Sequence, residues 1–256
     1  MNLLQLERLH DSVAERSGWD FSRVRDRRDP VPWEYHEVVR AYLHPDHRVL
    51  DVGTGGGERF LRLAPYFGQG LGTDISKDMI ATARANTAPD MASKVAFQVM
   101  PAEHLDLEDE SFDVVLNRHA NLCPAEIVRV LRPGGRFITQ QVGDRNTEHI
   151  CRVFGCTAGG EYSVSRWDDV PAVREELRAL GCDIEVWGEY DVRYWFLDLE
   201  SFVFWLKAIP MPEDFSPRHH WQQVSAILEA TGTPEGVVLS NEQRLLLVAR
   251  KSGGGA

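Results

Sequence analysis

Between Val49 and Glu58 the chain reads VLDVGTGGGE, and the residues able to do chemistry there are Asp51 and the run Gly53-Thr54-Gly55-Gly56-Gly57. Glycines remove side chains where a backbone must turn tightly and let a ligand come close. Glu58 to Leu63 resumes with apolar residues at helical spacing, so a ligand over the loop would meet free N–H groups at a helix start. Phosphates fit this loop poorly. The Gly-Lys-Ser/Thr of a phosphate-binding loop is missing, with Glu58-Arg59 standing in its place. A dinucleotide fingerprint, G-x-G-x-x-G, would need a third glycine where this chain has Glu58, whose carboxylate would repel a pyrophosphate. Asp51 suits an ammonium-bearing or uncharged ligand instead. A second acid, Asp74, ends the short strand Leu71-Gly72-Thr73-Asp74, near the roughly 20-residue separation at which an acid meets a pair of ribose hydroxyls. Its plain alternative, a charge at a helix start, is already supplied by the N-cap Ser76. The ligand chemistry selected is a ribose and an ammonium without phosphates.

S-adenosylmethionine carries those groups, and the residues resemble the class I S-adenosylmethionine-dependent methyltransferases, most closely the small-molecule group called type 11. The resemblance spans about residues 47 to 142 through VLDVGTGGGE, GTDIS, PAEHL, ESFDVVLNRHA and RVLRPGGRF, in the family's order. It implies S-adenosyl-L-methionine as cofactor. Asp51 and the backbone of Gly53, Thr54, Gly55 and Gly57 would hold its methionine end, and Asp74 would accept from both ribose hydroxyls. Ile75 would pack on the adenine, Ala102 and Glu103 would border the adenine edge, and Asn117 would sit near the transferred methyl. The family usually carries an Asp just before this alanine, where the chain has Pro101. Either Glu103 or another group receives the adenine amino group, or adenine is held more weakly.

Methyl transfer asks a protein to align the acceptor and exclude water, and some acceptors also need a base. Candidates lie beyond the carboxyl ends of the strands. Asn117, Arg118 and His119 are the suggested catalytic trio, because His119 could take a proton near neutral pH and Arg118 could meet an anionic substrate. Asn121, Gln140 and Gln141 lie in the same region, and the bland alternatives are a hydrogen-bonded buried histidine and a surface arginine. His219 and His220 more plainly start a helix beside Trp221. No histidine and carboxylate group shows metal-ligand spacing, so no metal is expected.

The elements that must position these residues alternate from Val49 onward, the pattern of an α/β, Rossmann-like, doubly wound and mostly parallel sheet. Seven strands are expected, with helices on both faces. Residues 1–46 read as an N-terminal helical cap, with helices over about 3 to 15 and from Pro30-Val31-Pro32-Trp33 through about Leu43. Residues 47–190 read as the cofactor-binding core, 191–235 as an aromatic-rich cap insertion, 236–251 as the final core strand and 252–256 as a disordered tail. Trp19, Trp33 and Tyr35 with the aromatics of Tyr190 to Thr233 could roof an apolar pocket, although an aromatic helix face is usually core.

A chain of 256 residues with a net charge of −11 does not present the basic surface of a nucleic-acid binder. Arg23, Arg25, Arg27 and Arg28 are interleaved with acids and read as a solvated segment. The four cysteines are irregularly spaced, which suggests reduced thiols, and neither a signal peptide nor a membrane-spanning run is legible. A cytoplasmic methyltransferase with a small, partly hydrophobic acceptor and no membrane or nucleic-acid partner is the reading that follows. RNA or protein methylation, or a non-catalytic cofactor-binding sensor, are the alternatives.

Overall fold

In a computed structural model of the chain, residues 2–13, 21–156, 170–209 and 215–253 are described. Trp19, Tyr162, Trp167 and the end of the glycine tail lie outside them. In chain order come α1 (Leu3–Ser12), β1 (Asp26–Arg28), α2 (Tyr35–Tyr42), β2 (Arg48–Val52), α3 (Glu58–Leu63), β3 (Gln69–Asp74), α4 (Lys77–Asn86) and β4 (Val95–Val99). There follow β5 (Phe112–Arg118), α5 (Pro124–Val130), β6 (Leu131–Val142), α6 (Glu148–Val153), α7 (Val170–Ala179), β7 (Cys182–Phe196), α8 (Leu199–Ala208), α9 (Pro217–Thr231) and β8 (Val238–Lys251). The strands run in the order β1-β7-β8-β6-β5-β2-β3-β4. Strands β4, β3, β2, β5 and β6 pair in parallel, and β8 lies antiparallel to β6. The chain crosses from β2 to β3 on one side and later returns to β5 on the other, which makes the end of β2 the switch point where open α/β sheets bind ligands.

Contacts divide the chain into two units, one of Met1–Val31, Gly143–Arg166 and Tyr190–Gln243, the other of Pro32–Val142, Trp167–Glu189 and Arg244–Ala256. In the second unit, strict alternation fills both faces of the sheet. Leu50, Val52, Val115, Phe137 and Leu247 join one buried cluster with Ile127 of α5 and Leu177 of α7. Their neighbours Val49, Val114, Leu116, Ile138 and Val248 join another with Phe60 of α3, Ile80 of α4 and Val39 of α2. This two-sided burial is why the parallel strands read as unbroken apolar runs.

The first unit has its own core, in which Leu6 of α1, Phe196, Phe202, Val203, Leu206 and Ile227 are fully buried. Phe196 packs against Tyr194, Phe202 and Trp205 with ring centroids 5.1–5.4 Å apart. Phe202 and Phe204 of the aromatic helix face are therefore core residues, the bland alternative to a pocket roof. His220 is likewise buried, stacked on Phe215 and within 3.1 Å of the Ser216 N–H through Nδ1.

Several boundaries differ from the sequence expectation. The charged run forms strand β1 rather than a free segment, pairing Asp26, Arg27 and Arg28 with Phe196, Trp195 and Tyr194. Its charges suit an exposed edge strand, and Arg27 lies 4.2 Å over the Trp195 ring. The Pro133-Gly134-Gly135 turn is absorbed into β6 as an irregularity opposite Phe112 and Asp113, with Gly134 at φ +79°. Strand β7 runs unbroken from Cys182 to Phe196, across the boundary expected after residue 190. Helix α2 belongs to the sheet-bearing unit, which therefore begins at Pro32.

Candidate active site

The site is built at the carboxyl end of β2 by backbone geometry. After Asp51 and Val52 the chain turns through Gly53, Gly55 and Gly57, all at positive φ (+76°, +57° and +76°), where a side chain would strain the backbone. Gly53 and Thr54 both donate their N–H to the Thr73 carbonyl at 2.8 Å, tying the loop to β3. Gly53 also needs its bareness for space, since a Cβ there would stand 2.2 Å from the Ala120 Cβ. Gly57 is closed in by Phe97 and Ala83, which a Cβ would approach to 2.9 and 3.0 Å.

Asp74 ends β3 with its carboxylate turned back on the loop. Oδ2 accepts from the Gly55 N–H and Oδ1 from the Ser76 N–H, each at 2.9 Å. The next residue, Ile75, is 73% exposed, an unusual position for a large apolar side chain in the absence of a partner. Ala102 packs partly against the core, and exposed Glu103 accepts from Asn121 Nδ2 at 3.2 Å.

Burial raises the pKa of Asp51 to about 7, with a smaller push from Asp74. The nearby Thr54 hydroxyl and the Arg118 charge act the other way without offsetting it. Thr54 Oγ1 is itself buried and has no hydrogen bond of ordinary geometry among the described residues. The acid expected to meet an ammonium is thus the group that titrates near neutrality.

His119 does not. Burial, followed by the charges of Arg118, Arg244 and Arg59, pushes its pKa well below the ordinary value. That direction disfavours proton uptake by the ring, against the expectation of a group that takes a proton near neutrality. The backbone at His119 is left-handed, φ +57°, and its N–H donates to the Gln140 carbonyl at 3.1 Å. Nε2 is buried without a hydrogen-bond partner among the described residues.

Asn117 is fully buried, and its amide is consumed by the protein. Nδ2 donates to the carbonyls of Val52 (3.2 Å) and Asn121 (3.0 Å), while Oδ1 accepts from Gln141 Nε2 at 2.6 Å. Tyr35 of α2 reaches the same place, its hydroxyl lying 3.2 Å from the Asn117 carbonyl and 3.1 Å from that of Ile138. Burial raises the Tyr35 pKa, and Asp51 adds to it. Trp33 Nε1 donates to Gln140 Oε1 at 3.1 Å.

The structure thus gathers Asp51, the glycine loop, Asp74 and the turn 117–121 around one end of the sheet. Sequence reasoning missed Arg59 and Arg244 as sources of the field on His119, and Thr139 as part of the buried amide network. Arg244 faces Val142 across β6 and β8, a register no local motif announces. No group of three or more histidines, cysteines or carboxylates among the described residues could hold a metal. All four cysteines are free thiols, and no helix among the described residues is long and apolar enough to cross a membrane.

Known proteins with related sequences or folds share this frame. A family model described as a methyltransferase domain matches residues 43–177. An uncharacterized methyltransferase of Bacillus subtilis, YcgJ, is 27% identical over 191 residues, covering 69% of this chain and 71% of its own. A ubiquinone/menaquinone biosynthesis C-methyltransferase, UbiE of Geotalea daltonii, is 30% identical across 52% of this chain and 61% of its own. The solved structure of YcgJ superposes with a TM-score of 0.60 at 21% identity, covering 86% of this chain and 99% of that one.

Proposed function

The chain belongs to the class I S-adenosylmethionine-dependent methyltransferases, and we propose that it transfers a methyl group, by in-line displacement, to a small and partly hydrophobic acceptor. The observation that carries the cofactor assignment is the pairing of Asp74 with the glycine loop. A carboxylate anchored by two backbone N–H groups keeps unused lone pairs for a ribose diol. The cradle also fits in shape and polarity: Gly53 leaves no room for a side chain, Ile75 offers an apolar face, and Thr54 Oγ1 and His119 Nε2 are buried without a hydrogen bond of ordinary geometry among the described residues.

In this reading Asp51, Gly53, Thr54, Gly55 and Gly57 hold the methionine end, Asp74 the ribose, and Ile75, Ala102 and Glu103 the adenine. When bound, the cofactor supplies an electrophilic methyl on a cationic sulfonium. Asn117 braces the site from within, joining β2, β6 and the turn after β5. His119, neutral, orients the acceptor by hydrogen bonding rather than removing its proton, and Arg118 favours an anionic or polarised acceptor beside it. The cofactor-site residues named here all belong to the sheet-bearing unit.

The likeness to UbiE, named as a ubiquinone/menaquinone biosynthesis C-methyltransferase, supports an acceptor with an apolar body, and the acidic composition supports a small molecule over RNA. Calorimetric titration with S-adenosylmethionine is the first test, expected to give one site per chain. Absence of binding by the folded protein would sink the proposal. Incorporation of a labelled methyl across a metabolite panel then identifies the acceptor, and incorporation into RNA or protein alone would refute the small-molecule reading.

A further inference from the structure

Gln141 stands near the end of β6, 1% exposed, with an amide whose direction is fixed by its surroundings. Its Nε2 lies 2.6 Å from Asn117 Oδ1, 2.9 Å from Thr139 Oγ1 and 3.4 Å from the Ala120 carbonyl. Its Oε1 is buried and has no hydrogen-bond partner among the described residues. Turning the amide over would set its oxygen against the Asn117 oxygen and the Ala120 carbonyl, so the acceptors decide the orientation.

Gln141 consequently grips the turn after β5 at two points. It reaches Ala120 directly, and it reaches Asn121 through Asn117, whose Nδ2 donates to the Asn121 carbonyl at 3.0 Å. Between Asn117 and Ala120 sits His119 in a left-handed conformation, which is strained for a non-glycine residue and persists only where surroundings over-determine it. Ala120 is also the residue that presses on Gly53, and Asn121 Nδ2 donates to Glu103. The turn therefore touches both ends of the proposed cofactor site.

We infer that Gln141 is a positioning residue for the acceptor side of the site: by holding Ala120 and Asn117 it keeps His119 in its left-handed turn. Its bearing on methyl transfer rests on the function proposed above, but the mechanical claim does not. The buried amide makes no contribution that an apolar side chain of similar size would replace, because the grip is made of N–H donors.

The test uses the full chain without ligand, comparing the native protein with Gln141→Leu. Hydrogen exchange by mass spectrometry should show residues 118–121 exchanging about tenfold faster or more, with β5 and the rest of β6 unchanged. In the same variant, an NMR titration of the His119 ring should move its midpoint upward, since release of the turn takes the imidazole out of the buried field of Arg118, Arg244 and Arg59. A role confined to packing would leave that midpoint where it is. Gln141→Met, more adaptable in shape, carries the same test if Gln141→Leu does not fold. A folded variant with unchanged exchange at 118–121 and an unmoved His119 midpoint overturns the inference. Failure of cofactor binding by the native chain would count against the proposed function and not against this inference, because both readouts are taken without ligand.

Discussion

Asp51 and Asp74 do different work although both are carboxylates at strand ends. Asp74 is held by backbone donors, so Asp74→Asn should keep the fold while weakening S-adenosylmethionine binding by tenfold or more, read by calorimetry. In the proposed role, Asp51 should make cofactor binding depend on pH. An unfolded aspartate titrates near pH 3.9, about three pH units below the folded value of about 7. Between those values the folded state holds the extra proton, so the stability Asp51 contributes is full below about pH 4 and is lost as pH rises toward 7. A cationic ligand needs the deprotonated form, so affinity for S-adenosylmethionine should climb by up to about tenfold per pH unit from pH 5 to 7 and then level off. Asp51→Asn should flatten that profile, and a flat profile in the native protein would remove Asp51 from the methionine end. Both acids were legible in the sequence because their spacing and strand positions carry the information. The displaced titration of His119 was not, since it depends first on burial and then, beyond its neighbour Arg118, on Arg244 and Arg59, which only the folded chain brings near.

Elements enter the site through their junctions. Gly53→Ala should cost several kcal/mol in urea unfolding, combining strain at φ +76° with a Cβ placed 2.2 Å from that of Ala120. Adding Ala120→Gly should recover the steric part and leave the backbone part, a partial rescue that pure backbone strain would not give. Helix α5 is pinned differently. Arg129 donates to Glu126, Asp109 and the carbonyls of Leu105 and Leu107, and Glu126 also accepts from the Leu105 N–H. That Arg129 bond, followed by the Leu105 N–H, holds Glu126 down to about pKa 2. Because the folded pKa lies below the unfolded one, the stabilisation is full above about pH 4.3 and fades as pH falls toward 2. Arg129→Met should therefore cost about 1–3 kcal/mol at neutral pH and much less near pH 2, measured by chemical denaturation. The alternation of strands and helices from Val49 to Gln140 was readable because each element carries its own periodicity. Strand β1 was hidden, because three charged residues become a strand only when Tyr194 to Phe196 offer them an edge.

At the scale of the whole molecule, the parallel sheet and its two buried faces follow from composition and order, and family membership from the ordered motifs. The partition into units was only partly legible. Residues 143–156 join the first unit although nothing in their sequence sets them apart, and Tyr35 stands with the sheet although it precedes it. An acidic chain with its cofactor loop free of phosphate-binding features should methylate nothing in bulk RNA. A labelled-methyl assay against total RNA is expected to stay at background while a metabolite pool gives product. The discontinuity of the first unit has a consequence for engineering. Its three segments meet the other unit's sequence at Val31/Pro32, at Val142/Gly143, at Arg166/Trp167, at Glu189/Tyr190 inside β7 and at Gln243/Arg244 inside β8. No single cassette can therefore be exchanged with a relative to transplant the first unit. A chimera must replace three stretches together and splice two of the joins mid-strand, where a mismatch of one residue would turn every following side chain to the wrong face.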